Sequence, residues 1–113
     1  MLFLVFISCK KENLKTTPII TSTKVSGKEL FENKGNCIAC HQVEQKIIGP
    51  SLKDIGTIYK AKKASIVLFL KGEADPLVDP SQYEIMKTNF AITKTMTDEE
   101  LKALEDYIFS FSK

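Results

Sequence analysis

Cys37 and Cys40 stand three positions apart, and His41 follows at once. Two thiols at this spacing can each add to one of the two vinyl groups on a porphyrin edge, giving two thioether bonds. The next residue then lies under the iron, and an imidazole there serves as the proximal ligand. Cys-x-x-Cys-His is therefore the pattern of c-type haem attachment. His41 is the single histidine of the chain, so no other residue competes for that role. Other chemistries use the same residues. A redox dithiol expects a βαβ pattern around the pair, and none is legible here. A zinc site needs four ligands, and the only remaining thiol is Cys9, in a distant apolar run. One covalent haem c is the expected cofactor. The motif alone leaves open whether the haem carries electrons, binds a gas or does chemistry.

The elements that must position this motif belong to a chain of 113 residues, room for one domain. Hydrophobic residues make up 43% and charged residues 27%, an ordinary globular composition. The net charge is +2 with both signs interspersed, which gives no footprint for nucleic acid. A domain this small buries limited surface. A large flat haem would serve as the centre of its core, so the apo chain is expected to fold poorly.

Before the motif, Ser26-Gly27-Lys28-Glu29 has the form of a capping box. It predicts a helix to about Asn33, with Leu30 and Phe31 as apolar contacts and Gly35 as a left-handed C-cap. The motif itself is expected to take a turn of helix. After it, Ile58, Ala61, Ser65, Leu68 and Phe69 repeat at helical spacing, with Ile66, Val67 and Leu70 broadening the face. They predict one helix over Thr57–Lys71, with Lys60, Lys62, Lys63 and Lys71 as a basic exterior, read as a solvated face ahead of a docking patch. Residues 72–80 read as a turn-rich loop with Pro76 and Pro80, and Tyr83–Thr95 as a further loop. Thr97-Asp98-Glu99-Glu100 is a second capping box, opening a helix from Asp98 to about Ser110. Leu101, Leu104, Tyr107, Ile108 and Phe111 form its apolar stripe. Met96 and Leu101 occupy the two places of a hydrophobic staple at its start.

Gly27-Lys28-Glu29-Leu30-Phe31, then Cys37-x-x-Cys40-His41, then Gly49-Pro50-Ser51-Leu52, resemble the class I c-type cytochromes. The resemblance runs from about Ser26 to Phe111. It implies an all-α fold, a small cytochrome c domain of three to four main helices wrapped around one covalently bound haem. It implies that the carbonyl of Pro50 accepts a hydrogen bond from His41, which fixes the ligand's orientation and basicity. It implies that Gly27 and Phe31 on the first helix meet Leu104 and Tyr107 on the last. It places the sixth iron ligand on the loop before the last helix, where Met86 stands. Met96 is the competing methionine, already explained by the staple, and a five-coordinate iron is the remaining alternative. Tyr59 is a candidate propionate contact.

The N-terminal run Leu2 to Ile7 is apolar and too short to span a bilayer. Followed by Ser8 and Cys9, it resembles the cleavage site of a bacterial lipoprotein signal, which implies a lipid anchor on Cys9. The expected organisation is a signal segment over 1–8, a flexible tether over 9–22 and the cytochrome domain over 23–113. As a coil the tether would reach about 20 Å. Haem c is attached outside the cytoplasm, so export to the periplasmic side and membrane anchoring are expected. The implied function is single-electron transfer by a His41/Met86-ligated haem between transient redox protein partners, with no catalytic residue and no small-molecule substrate. Two alternatives stand beside it. A labile or absent methionine ligand would give a gas sensor or peroxidase, and permanent contacts would give a haem subunit of a larger respiratory complex.

Overall fold

A computed structural model describes residues 25–113. The expected signal segment, the tether and Cys9 lie outside the described residues. The fold is all-α, with no strand among the described residues. Helix α1 (Gly27–Glu29) begins at Ser26, whose hydroxyl accepts the N–H of Glu29 at 3.2 Å. Only this arm of the expected capping box is formed among the described bonds.

The chain continues from α1 into a wider, π-helical turn over Leu30–Lys34. The bond that closes it runs from the N–H of Gly35 to the carbonyl of Leu30 at 2.6 Å. A Cβ on Gly35 would stand 2.7 Å from that carbonyl oxygen, so the glycine is required by close approach. Gly35 is itself right-handed, at φ −78°. The left-handed residue is Asn36, at φ 52°, which corrects the expectation of a left-handed Gly35. Asparagine tolerates that conformation better than most side chains, and it lets the chain reverse directly into Cys37.

Two further expectations are corrected. Thr57–Lys71 is not one helix. Helix α2 covers Leu52–Lys62 and starts earlier, because Ser51 caps it by accepting the N–H of Asp54 at 3.0 Å. Lys63 then turns left-handed at φ 54° and breaks the run. Helix α3 (Ile66–Leu70) restarts from Ser65, whose hydroxyl accepts the N–H of Leu68. A serine followed by β-branched residues favours a new N-cap over continuation. The break resets the helical phase, so Ile66 and Leu70 are buried while Leu68 is exposed. The segment Tyr83–Thr95 is not a plain loop either. It carries α4 (Tyr83–Lys87) and α5 (Phe90–Thr93), two short helices.

Helix α6 (Asp98–Phe109) has both arms of the Thr97/Glu100 capping box. Its inner face, Leu101, Leu104 and Ile108, is buried, and Met96 is buried just before it. Helix α1 crosses α6 so closely that a Cβ on Gly27 would come 2.7 Å from the Cβ of Tyr107. Phe31 and Tyr107 pack across this crossing with ring centroids 5.6 Å apart. Helix α2 also lies against α6, where Gly56 faces the carbonyl of Ile108. A second cluster, Tyr59, Phe69, Tyr83 and Phe90, joins α2 and α3 to the segment that precedes α6.

Candidate functional site

The helices do not close over the middle of the molecule. They surround an apolar cavity of about 230 Å³, far larger than an ordinary gap in a close-packed interior. Cys37, Cys40, His41, Tyr59 and Met86 all line it. Met96 does not; it packs in the helical core, with its methyl group against Gly35.

Cys37 opens a single turn of 3-10 helix, Cys37–Ala39, and Cys40 caps its end, so the turn carries the two thiols at its start and its close. The N–H groups of Cys40 and His41 both reach the Cys37 carbonyl, at 3.1 and 3.0 Å. This turn fixes the direction in which His41 leaves the motif. Both cysteines are free and half-buried. Burial pushes the Cys37 thiol up to about 11, so at neutral pH it is a protonated thiol. The turn is pinned from the other side by the N–H of Gly49, bonded to the Cys40 carbonyl at 2.7 Å.

His41 is buried, and its Nδ1 lies 2.7 Å from the carbonyl oxygen of Pro50. A carbonyl only accepts, so Nδ1 carries the proton and Nε2 keeps its lone pair. Burial lowers the imidazole's affinity for a second proton; the Pro50 bond partly opposes this. A neutral imidazole with one free nitrogen is what a metal requires. Gly49 lies flat against this ring. A Cβ there would stand 2.5 Å from Cε1 and 2.8 Å from Nδ1.

Met86 is carried by α4, half-buried at the cavity wall. Three residues on, Asn89 donates its amide to the carbonyl of Gly35 at 2.9 Å. That bond ties the methionine segment to the chain just before the cysteine motif. Tyr59 is 3% exposed, and burial pushes its hydroxyl up to about 12. It is a protonated donor at neutral pH, suited to a carboxylate.

These residues fit a covalent haem. The lining is mostly apolar, the two thiols are unpaired, one imidazole nitrogen is free, and a thioether lines the same cavity. A zinc centre has no support among the described residues, where no three His, Cys, Asp or Glu side chains converge. Asp79 also lines the cavity, a residue the sequence does not single out. It belongs to no motif, and only the fold brings it there.

The family profile described as Cytochrome c matches residues 25–112. Among curated proteins, cytochrome c-552 of Nitrosomonas europaea is 40% identical over 78 residues, covering 68% of this chain and 71% of that protein. Cytochrome c-551 of Ectopseudomonas mendocina is 33% identical over 88 residues, covering 75% and 96%. Cytochrome c-551 of Stutzerimonas stutzeri is 31% identical over 87 residues, covering 74% and 75%. The match spans the whole described domain and includes the cysteine motif, so this chain belongs to the cytochrome c family and carries one covalently bound haem c.

Proposed function

We propose that this haem c electron-transfer protein holds its haem through thioethers to Cys37 and Cys40, with His41 and Met86 as the two axial iron ligands. The observation that carries the reading is the shared lining of the cavity: both thiols, the imidazole with its Nδ1 engaged, and one methionine of the two in the domain. Haem c, when bound, supplies a one-electron Fe(III)/Fe(II) couple.

The chain's own residues then do three things. Pro50 holds the Nδ1 proton of His41, which orients the ring and raises the basicity of Nε2. Met86 offers a soft thioether, which favours the reduced form and raises the potential. Leu52, Ile66, Phe69, Leu70, Leu104 and Ile108 exclude water from the cavity walls. Tyr59 is the proposed donor to a propionate. With both axial positions filled, no place is left for a substrate, and the mechanism is outer-sphere transfer at the cavity mouth. Ile48 and Ile85 stand at that mouth, 49% and 51% exposed, an apolar rim for brief contact with redox proteins. Attachment of haem outside the cytoplasm, with Cys9 as a lipid anchor on the periplasmic side and 9–22 as the tether, completes the proposal. Among the described residues no helix is long and apolar enough to cross a membrane.

Addition of carbon monoxide to the ferrous holoprotein tests the reading. A carrier with both axial positions filled gives an unchanged spectrum at neutral pH. Rapid formation of a carbon monoxide complex would instead favour a sensor or peroxidase with an open sixth position.

A further inference from the structure

The cavity has a proximal wall, the loop after His41, and a distal wall, the segment that leads to Met86. Among the described residues one ion pair joins residues 41–50 to residues 72–95. The Nζ of Lys46 stands 3.1 Å from Oδ2 of Asp79. Asp79 lines the cavity, and its other oxygen accepts the hydroxyl of Ser81 at 2.6 Å. Oδ2 is buried, and the Lys46 ammonium is the group that meets it. The Ser81 hydroxyl first, and Lys46 next, hold the Asp79 carboxyl below the usual carboxylate range.

Beyond Asp79 the distal segment is held by Tyr83 against Phe69 and by the Asn89–Gly35 bond; before it, ties are few. Among the described residues, 74–78 make no backbone–backbone hydrogen bond. Leu77 and Val78 are half-buried and pack against the core. Asp79 starts the turn that leads into α4, through its carbonyl bonded to the N–H of Gln82 at 3.0 Å. Whatever fixes Asp79 therefore fixes the entry to the Met86 helix. We propose that the Lys46–Asp79 pair is an electrostatic strap across the cavity mouth that restrains the Met86 segment from swinging away and exposing the sixth position. This inference rests on the reading of Met86 as the sixth ligand. It concerns how often that position opens.

The test is the binding of imidazole to the ferric holoprotein, followed by stopped-flow absorbance. For a methionine-ligated protein the rate saturates at high imidazole, and the plateau is the opening rate. Lys46→Gln and Asp79→Asn are each expected to raise that plateau about two- to fivefold at low salt, the range a partly exposed ion pair supports. High salt is expected to raise the wild-type plateau and leave that of Lys46→Gln unchanged. The charge-reversed double variant Lys46→Asp/Asp79→Lys is expected to return the plateau toward wild type, which a general loss of stability would not do. Equal plateaus in wild type and both single variants, with saturating kinetics throughout, would overturn the strap and leave the ligation reading intact. A wild-type rate that rises linearly with imidazole, from a ferric spectrum lacking a methionine–iron band, would overturn both.

Discussion

Gly49 admits no side chain, because its Cα hydrogen faces the ring of His41. In Gly49→Ala the new methyl group would stand 2.5 Å from Cε1, so the imidazole or the loop must move. The 2.7 Å bond to Pro50 would be strained or lost with it. The expected cost is about 2 kcal/mol of holoprotein stability, in the range of overpacked cores. Denaturant unfolding should show a lower midpoint with an unchanged slope. Residue-scale chemistry was the most legible part of the sequence. The types and spacing of Cys37, Cys40 and His41 carry their meaning in themselves. Gly49 and Pro50 read locally as a turn, and only the resemblance to a family gave them a partner. Asp79 was illegible, because its meaning comes from Lys46, brought to it by the fold.

Helix ends divide by the same logic. The start of α6 was readable because Thr97 and Glu100 satisfy one another within four residues. The break at Lys63 was not, because an unbroken apolar pattern runs through it while the backbone turns left-handed. What stabilises the break is Glu105 of α6. Its buried carboxylate accepts the N–H groups of Ile66 and Val67 at 2.9 and 3.3 Å. Ser65 takes the N–H of Leu68, so three of the free donors at the start of α3 are satisfied. Glu105 also pairs with Lys102, at 3.2 Å. Helix α3 supplies Ile66, Phe69 and Leu70 to the cavity, so this contact sets one of its walls. Glu105→Ala would leave two N–H groups without their carboxylate, one of them buried. It is expected to destabilise the protein by about 2 kcal/mol, the scale of hydrogen bonds to a charged group. Glu105→Gln retains one acceptor oxygen and should lose less. Thermal unfolding of the two variants beside wild type would separate them; equal loss would mean that packing alone matters.

On the scale of the whole molecule, α1 and α6 cross at Gly27 and clamp the two ends of the domain together, while α2 and α3 form the wall between. This frame leaves the apolar cavity, lined by His41 from early in the chain and Met86 from late in it. An axial pair would therefore bridge segments that the backbone holds apart. The all-α class was implied by the resemblance to the c-type cytochromes, and the outer helices were legible from their capping boxes and, in α6, from its apolar stripe. The distal segment was not, because α4 and α5 are too short to show a period and are held by the aromatic cluster of Tyr59, Phe69, Tyr83 and Phe90. Met96 lies in the core behind the cysteine motif, packed against Gly35, and Met86 stands at the cavity. The central claim is that Met86 completes the iron coordination opposite His41. The measurement that tests it most directly is the ferric absorption spectrum of haem-matured wild type beside Met86→Leu and Met96→Leu. A weak methionine–iron charge-transfer band present in wild type and Met96→Leu, and absent in Met86→Leu, is the expected result. A band that survives in Met86→Leu, or a high-spin spectrum in wild type, would contradict it.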